Sequence, residues 1–432
     1  MNVLIIGSGG REHAIAWALS KSPSVDNLFI SPGNFGTGRV GTNVDLDVGD
    51  FASVRDFARA NRIDLVVVGP ENPLAGGIAD FLRGSGISVF GPGALGARLE
   101  SSKSYAKEFM VRHGIPHPRF WVFDDAGEAA SFISTTEGPW VIKADGLALG
   151  KGVTVCFDRE EALDVARSLM SGRALGDAGK KIVVEEFLQG QELTAMALSD
   201  GKTLYPLPFA RDHKRAFDGD EGPMTGGMGA YSPVTDLDQK VHEVIVRDIL
   251  EKTLRGLKEE GIDYRGILYA GLMLTRDGPK VLEYNVRFGD PEAQCILPRL
   301  EGDLALCLRG CAEGSLDRAL GDAGLRVKPE TCVTVIMASG GYPGSYEKGV
   351  PISGIELVEK EFPENEVVLF FAGAREENGQ VVTAGGRVLA VTALAGSLPL
   401  AREKAYNAVK MINFRGAHYR KDIGRMPATL GR

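Results

Sequence analysis

The first hundred residues alternate short apolar runs with helical patterns, and this rhythm constrains the fold more than any other feature of the chain. Strands are predicted at 3–6, 27–31, 65–68 and 89–90, and helices at 12–19, 54–61 and 76–83. Such alternation is typical of strand–helix–strand units, whose strands pair in parallel within one sheet that helices cover on both faces. We therefore predict a doubly wound parallel sheet at the amino-terminal end.

The pattern changes near residue 102, where a predicted helix ends at Gly114 and is followed by the proline-containing run 115–118. A helix that ends at Gly before Pro is typical of a boundary. Beyond it the strands are joined by hairpin turns, predicted at 145–146, 200–201 and 277–278. The 432 residues also fit about three domains of roughly 150 residues each.

We therefore predict a multidomain protein with α/β and α+β parts. The predicted domains are an amino-terminal α/β domain at 1–101, a central domain at 102–328 with a flap subdomain at about 119–190, and a strand-rich carboxyl-terminal domain at 329–432, with a helix at 401–411.

Charge and apolar patterning exclude several classes of protein. The chain has 49 Lys and Arg against 57 Asp and Glu, a net charge of −8, which argues against a nucleic-acid-binding surface. The longest apolar runs, such as 63–68, have the length of a strand, so no membrane-spanning helix is predicted. The amino terminus has no basic leader, and five cysteines without zinc-like spacing fit a reducing compartment. We predict a cytoplasmic protein.

Three polar side chains share one face of a strand predicted at 281–288. Because side chains alternate across a strand, Glu283, Asn285 and Arg287 lie on the same face. A carboxylate and an amide oxygen suit Mg²⁺ that is held together with substrate phosphates. The neighbouring guanidinium can bind a carboxylate or a phosphoryl oxygen through two hydrogen bonds. The alternative is a half-solvated strand whose polar residues face water.

A glycine-rich loop at 7–13 lies between the first strand and the first helix. Glycines let backbone amides approach an anion, and the start of a helix adds partial positive charge. The loop lacks the third glycine of the dinucleotide fingerprint, and no acid follows the second strand. A phosphate or a phosphorylated sugar is therefore favoured over NAD, with a tight turn that binds nothing as the alternative.

A second glycine-rich loop, at 145–152, joins two strands, and it lacks the Gly-Lys-Ser/Thr sequence of a P-loop. A hairpin of this kind can close over a triphosphate, with Lys143 and Lys151 supplying charge. A mobile surface hairpin remains the alternative. The strand at 182–188 leads into a connector at 190–194 that can offer backbone groups to adenine and a carboxylate to ribose.

The order of these elements resembles the ATP-grasp superfamily of carboxylate–amine ligases. Within that superfamily the chain is similar to the phosphoribosylamine–glycine ligase family. The motifs that carry this resemblance are spread over the whole chain, at 7–13, 68–71, 143–147, 212–215, 225–233, 287–292, 385–387 and 420–424.

The resemblance implies that ATP phosphorylates glycine and that the amine of 5-phosphoribosylamine displaces phosphate, giving glycinamide ribonucleotide, ADP and phosphate in purine synthesis. It implies ATP as co-substrate, Mg²⁺ or Mn²⁺ as the metal, and glycine-rich lids at 146–152 and 219–229. The implied site residues are Arg287, Lys143 and Asp212 in catalysis, Glu283 and Asn285 at the metal, Lys103, Lys143, Gly150, Gly152, Glu185, Leu188 and Glu192 at the nucleotide, and Gly9, Gly10, Glu12, Glu71, Lys214 and Asp290 at the substrates.

Two alternatives stay open. Another ATP-grasp ligase or carboxylase of purine metabolism would use the 283–287 strand equally well, but the motifs at 212–215 and 287–291 argue against it. A nucleotide-binding sensor without activity would not need Lys143, the metal ligands or Arg287. The predicted strand at 268–274 contains no acid, so Glu283 is expected to be the sole carboxylate on the metal. The length fits a stand-alone monofunctional enzyme, and a monomer is expected.

Overall fold

A computed structural model describes residues 1–148, 152–172 and 175–425. Its first part contains five strands and six helices. They are β1 (Asn2–Gly7), α1 (Gly10–Ser20), β2 (Asn27–Pro32), β3 (Thr42–Asn43), α2 (Phe51–Ala60), β4 (Leu65–Val68), α3 (Glu71–Ala75), α4 (Ile78–Gly84), β5 (Val89–Phe90), α5 (Ala94–Ser101) and α6 (Lys103–Arg112).

The amino-terminal strands form one parallel sheet in the order β3-β2-β1-β4-β5. Alternate residues of β1 pack into two different cores: Leu4 lies with Val54 of α2 and Leu82 of α4, whereas Ile5 lies with Ile15 of α1. Both faces of the sheet are therefore covered, and the predicted doubly wound parallel sheet is confirmed. The helix predicted at 76–83 corresponds to α4, which begins two residues later because Gly77 at its start has a φ of +87°; the short helix α3 before it was not predicted.

The central part is built from antiparallel hairpins. Its elements are β6 (Phe120–Phe123), α7 (Ala126–Thr135), β7 (Trp140–Ala144), β8 (Val153–Cys156), α8 (Arg159–Met170), β9 (Ile182–Glu186), β10 (Gln191–Asp200), β11 (Leu204–Pro206), β12 (Arg211–Asp212), β13 (Arg215–Phe217), β14 (Glu221–Met224), β15 (Gly229–Ser232), α9 (Gln239–Val244), α10 (Lys252–Glu259), β16 (Arg265–Thr275) and β17 (Gly278–Asn285). A π-helical segment, Ile245–Glu251, joins α9 to α10.

Two sheets of this part contain the predicted nucleotide and metal residues. Their strand orders are β6-β9-β7-β8 and β11-β10-β16-β17. The hairpins predicted at 145–146, 200–201 and 277–278 are confirmed, because β7 pairs with β8, β10 with β11 and β16 with β17 in antiparallel register. The strand predicted at 281–288 is shifted, since β17 ends at Asn285. The next backbone N–H, that of Val286, donates to Glu100 Oε2 (2.8 Å) and not to a neighbouring strand.

The remaining elements are α11 (Glu292–Ile296), β18 (Leu300–Glu301), α12 (Leu304–Glu313), α13 (Leu316–Ala323), β19 (Arg326–Val327), β20 (Thr331–Ala338), α14 (Ile355–Glu361), β21 (Val367–Phe371), β22 (Ala374–Glu377), β23 (Gln380–Thr383), β24 (Arg387–Ala395) and α15 (Leu398–Met411). The last sheet has the order β12-β15-β20-β24-β21. Two of its strands, β12 and β15, precede residue 329, so the carboxyl-terminal sheet incorporates part of the central segment. The three-domain division stays a proposal.

The glycine-rich segment for which a lid is predicted at 219–229 is partly a hairpin. Its strand β14 pairs with β13, and the turn between them contacts the carboxyl-terminal segment. The backbone N–H of Gly219 donates to Asp422 Oδ2 (2.8 Å), and that of Lys421 donates to Asp218 Oδ1 (2.6 Å). This segment, residues 213–229, includes the predicted lid at 219–229 and is termed the lid hairpin; it is attached to the end of the described chain. Within the described ranges, no helix has the length and apolar character needed to cross a bilayer.

Candidate active site

A cavity of about 350 Å³ opens between the amino-terminal, central and carboxyl-terminal parts of the chain. Its wall includes Arg11 from α1, Lys103 from α6 and Arg387 from β24. The predicted site residues that line it are Glu71, Lys103, Gly152, Asp212, Lys214, Glu283, Asn285, Arg287 and Asp290. Residues from distant motifs thus meet around one space.

Other predicted site residues lie outside this wall. Lys143 and Glu185 are buried next to it, with exposed fractions of 4% and 1%. The remaining predicted positions, which the structure does not bring to the cavity wall among its described residues, are Gly9, Gly10, Glu12, Leu188 and Glu192. Gly150 lies outside the described residues.

The two predicted metal ligands lie two residues apart on β17, and each contacts a positively charged side chain. Glu283 Oε1 accepts a hydrogen bond from Lys214 Nζ (3.1 Å), and Asn285 Oδ1 accepts one from Arg287 Nη2 (3.0 Å). The ammonium of Lys214 lowers the pKa of Glu283 to about 2, against the opposing effect of burial. The carboxylate is therefore ionised at neutral pH, as a metal ligand must be.

Arg287 joins β17 to the amino-terminal part of the chain. Its Nη2 lies 2.8 Å from Glu100 Oε1, and its Nε lies 3.4 Å from Glu71 Oε2. Burial lowers the pKa of Arg287, but Glu100 and Glu71 outweigh this effect and raise it overall. The guanidinium is a permanent cation that borders the cavity and is held by two carboxylates of the protein.

Two lysines share one carboxylate on the nucleotide side. Lys143 Nζ lies 2.9 Å from Glu185 Oε1 and Lys107 Nζ lies 3.1 Å from the same atom. Lys103 Nζ donates to the carbonyl of Gly146 (3.0 Å), at the base of the glycine-rich flap. Three ammonium groups therefore lie near the position predicted for the triphosphate, and Lys107 was not among the predicted site residues.

A pair of acids lies on the opposite side of the cavity. Burial raises the pKa of Asp212 well above its usual range, the neighbouring Glu292 raises it further, and Lys214 opposes both. Glu292 Oε1 accepts hydrogen bonds from the hydroxyls of Thr194 (2.9 Å) and Tyr269 (2.8 Å). A buried acid whose pKa is shifted by burial and a neighbouring charge is a candidate for proton transfer.

Asp290 is held by residues on two sides. Arg387 Nη2 lies 2.8 Å from Asp290 Oδ2, and Gln294 Nε2 donates to Asp290 Oδ1 (2.7 Å). Arg387 Nη1 also donates to the carbonyl of Gly226 (2.6 Å). The carboxyl-terminal part of the chain thereby fixes both Asp290 and the lid hairpin, which explains how a residue far along the sequence contributes to the site.

The amino-terminal loop satisfies its own hydrogen bonds. Glu12 Oε2 accepts from the backbone N–H of Gly9 (2.6 Å), and Glu12 Oε1 accepts from Arg11 Nε (2.6 Å). A Cβ atom built on Gly10 would lie 2.8 Å from Gln294 Nε2, and one on Gly9 would lie 2.7 Å from Glu12 Oε2. A side chain at either position would therefore require Gln294 or Glu12 to move.

Sequence reasoning missed Arg11, Glu100, Lys107, Glu292 and Arg387. Glu292 and Arg387 end motifs that were recognised at 287–292 and 385–387, and Arg11 lies inside the loop at 7–13, so the signal was present for these three. Glu100 and Lys107 lie on helices whose patterns give no indication of a buried charge.

Three family models match successive parts of the chain. They are the N domain of phosphoribosylglycinamide synthetase at residues 1–100, its ATP-grasp (A) domain at 101–293 and its C domain at 332–426. The phosphoribosylamine–glycine ligase of Vibrio parahaemolyticus is 44% identical over 428 residues, which cover 98% of this chain and 98% of that protein. The chain belongs to the phosphoribosylglycinamide synthetase family.

Other members of the phosphoribosylglycinamide synthetase family are similar over the same range. The trifunctional purine biosynthetic protein adenosine-3 of Gallus gallus is 49% identical over 425 residues, which cover 98% of this chain but only 42% of that protein. The crystal structure of a phosphoribosylamine–glycine ligase from Thermotoga maritima is 38% identical, with a TM-score of 0.81 and coverage of 98% of this chain and 100% of that one. The predicted fold class, with a central ATP-grasp domain, is confirmed.

Proposed function

We propose that this protein joins glycine to 5-phosphoribosylamine at the expense of ATP, giving glycinamide ribonucleotide, ADP and phosphate. The observation that supports this most is that one cavity gathers Glu283 and Asn285, the guanidinium of Arg287 and the ammonium of Lys103. A phosphoryl transfer to a carboxylate needs all three components, namely metal ligands, a group that binds the carboxylate and cations for the phosphates.

Glu283 and Asn285 would hold Mg²⁺ or Mn²⁺. Within the described residues no cluster of three or more His, Cys, Asp or Glu side chains could hold a metal. Two oxygen ligands on one strand therefore fit an ion that completes its octahedron with phosphate oxygens and water, as Mg²⁺ does. When bound, such an ion neutralises charge on the transferring phosphoryl group.

In the first step of this proposal, an oxygen of the glycine carboxylate attacks the terminal phosphorus of ATP, and the bond to ADP breaks. Arg287 binds the glycine carboxylate and then the acyl phosphate through paired hydrogen bonds. Lys143 and Lys103 bind the phosphates, and Gly152 borders the cavity beside them. For the other predicted nucleotide residues, Gly150, Glu185, Leu188 and Glu192, contact with the nucleotide stays a prediction. The lids at 146–152 and 219–229 exclude water, which would hydrolyse the acyl phosphate.

In the second step, the amine nitrogen of 5-phosphoribosylamine attacks the carbonyl carbon of glycyl phosphate and the carbon–oxygen bond to phosphate breaks. The nitrogen must lose a proton, and we assign Asp212 as the acceptor. Burial and the neighbouring Glu292 raise the pKa of Asp212, and this is the direction that makes a carboxylate a stronger base. Phosphate leaves as the dianion or monoanion, so no further reactant is needed.

In this proposal, phosphoribosylamine binds at the cavity wall formed by the amino-terminal part of the chain. Glu71 borders the cavity there together with Arg11, whose guanidinium suits a phosphate. Gly9, Gly10 and Glu12 would act from the loop behind that wall. Lys214 and Asp290 would contact the substrates from the opposite side.

We also propose that the protein is a cytoplasmic monomer with domains at 1–101, 102–328 and 329–432. Its five cysteines are buried free thiols, which is compatible with a reducing compartment.

The test is ADP release by the intact protein with substrates omitted one at a time. We expect release that requires glycine, phosphoribosylamine and the metal together, and glycinamide ribonucleotide as the product by mass spectrometry. Release that proceeds with bicarbonate in place of glycine would instead indicate an ATP-grasp carboxylase. ATP binding without release under any combination would indicate a nucleotide sensor.

A further inference from the structure

Lys107 is a buried lysine with contacts on two strands. It lies on α6 one turn after Lys103, and only 2% of its surface is exposed. Its ammonium lies 3.1 Å from Glu185 Oε1 on β9 and donates to the carbonyl of Leu282 on β17 (3.1 Å). Lysine is rarely buried this completely unless it is paired.

Lys143 repeats both of these contacts. Its ammonium lies 2.9 Å from the same Glu185 oxygen and donates to the same Leu282 carbonyl (3.0 Å). Two ammonium groups therefore share one carboxylate oxygen in a space with little water, which is unfavourable because like charges repel. Burial, with the charge of Lys143 acting in the same direction, lowers the pKa of Lys107 to about 8, although Glu185 opposes them. One lysine alone would suffice for a structural ion pair.

We infer that Lys107 is a positioning residue that holds Glu185 and the Leu282 carbonyl in place, so that Lys143 can release both and pair with the nucleotide phosphates. This inference rests on the proposed function. If Lys143 left Glu185 without another cation nearby, it would leave a buried carboxylate unpaired, which is strongly unfavourable. With Lys107 present, Glu185 keeps a partner when Lys143 moves.

The hydrogen bond from Lys107 to the Leu282 carbonyl lies next to the predicted metal ligands. Leu282 precedes Glu283 on β17, so a hydrogen bond to the Leu282 carbonyl helps to fix the strand position from which the Glu283 carboxylate projects. Lys107 therefore links the nucleotide strand β9 to the metal strand β17. It also borders the cavity itself, so direct contact with a phosphate is the competing role that a test must separate.

The experiment is a double-mutant cycle on the intact protein, with Mg²⁺–ATP binding measured by calorimetry. The variants are Lys107→Met, Glu185→Gln and the two combined. We expect Lys107→Met to weaken ATP binding by about tenfold, and the same change to cost less than about threefold when Glu185 is already neutral. Lys252→Met is the matched control, because Lys252 Nζ also donates to a backbone carbonyl, that of Gly114 (2.8 Å), but away from the cavity.

Several outcomes would overturn the inference. An equal loss in both Glu185 backgrounds would mean that Lys107 contacts the nucleotide directly. Unchanged ATP binding by a folded Lys107→Met protein would mean that the lysine serves packing alone. Failure of the unaltered protein to bind ATP would overturn the proposed function itself. Should Lys107→Met not fold, the cycle is run with Lys107→Gln, which retains a donor for the carbonyl of Leu282.

Discussion

Arg287 Nη2 lies 2.8 Å from Glu100 Oε1, so an ion pair connects the residues that follow β17 to helix α5 of the amino-terminal part. Glu100 also accepts the backbone N–H of Val286 (2.8 Å), and burial raises the pKa of this carboxyl group. One acid thus ends strand β17 and orients the guanidinium that follows it. The glycine carboxylate, in the proposed function, binds to an arginine that is already fixed in position.

Replacing Arg287 by Lys tests this arrangement. Lysine keeps the charge but loses the paired geometry, so we expect kcat/KM for glycine to fall by about 100-fold or more while the KM for ATP stays within about threefold. Steady-state kinetics with each substrate varied in turn measures both quantities. Arg309→Lys, at a surface ion pair with Glu313, is the control. An equal rise of the KM values for glycine and ATP would mean that Arg287 maintains the shape of the cavity and does not bind glycine specifically.

Lys143→Ala is expected to weaken ATP binding and slow turnover with little loss of thermal stability. The structure supplies the reason for the second part, because Lys107 still pairs with Glu185 when Lys143 is removed. We expect ATP affinity to fall by about tenfold or more and the melting temperature to fall by less than about 4 °C. Calorimetry and thermal denaturation measure the two effects. Unchanged affinity together with a large drop in melting temperature would make Lys143 a structural lysine.

The predicted site residues that the cavity gathers come mostly from short continuous motifs. Alternation along a strand is enough to put Glu283 and Asn285 on one face, because it depends only on local geometry. The end of β17 could not be predicted in the same way, since it depends on Glu100, which is distant in sequence. Lys107 was missed for a related reason: a lysine on a short amphipathic helix is typical of a solvated surface, and its burial depends on β9 and β17.

The lid hairpin shows a second limit of prediction from sequence. Its glycine density is typical of a loop, yet β13 and β14 pair there. The turn between them contacts residues about two hundred positions later in the chain. Local periodicity does not indicate contacts between residues so far apart in sequence. The amino-terminal loop shows the converse. Glycines at 9 and 10 were expected to admit a phosphate, which stays a prediction; the structure adds that Glu12 and Gln294 lie beside them, a contact that the local sequence does not indicate.

Glu283→Gln is expected to lower turnover by at least about two orders of magnitude, with part of the loss recovered at high metal concentration. Gln keeps the shape but removes the sole acid on the proposed metal. The pKa of Glu283 is depressed to about 2. The stability that its charge contributes is therefore fully present at pH values above the ordinary carboxyl pKa, and it is lost only as the pH falls toward 2. Activity at saturating metal should therefore show no acid limb from this residue. A loss below about fivefold would assign the ion to Asp290 or Glu292.

Gly10→Ala separates packing from substrate binding in the amino-terminal loop. The added Cβ would lie 2.8 Å from Gln294 Nε2 and 3.6 Å from Ala372 Cβ, so we expect a loss of stability. Shortening the neighbour in the double variant Gly10→Ala/Gln294→Ala should restore the melting temperature in part. If the loop also binds the ribose phosphate, the KM for phosphoribosylamine stays higher in the double variant than in Gln294→Ala alone, which by itself removes a hydrogen bond to Asp290 (2.7 Å), while the KM for ATP does not. A raised KM for ATP would assign the loop to the nucleotide.

Arg420→Met tests whether the carboxyl-terminal segment holds the lid hairpin. Arg420 is 1% exposed; its guanidinium lies 2.6 Å from Asp220 Oδ1 and donates to the carbonyl of Arg215 (3.1 Å). Asp220 itself is largely exposed, so solvent screens the pair, and we expect a loss of about 1–3 kcal/mol of stability, much of it from the unsatisfied backbone carbonyl. The hairpin should then become more sensitive to limited proteolysis near residue 220, and the KM for each substrate should rise. Arg415→Met, at an exposed ion pair with Glu347, is the control that should leave both unchanged. Equal proteolysis of the two variants would show that the hairpin closes independently of this segment.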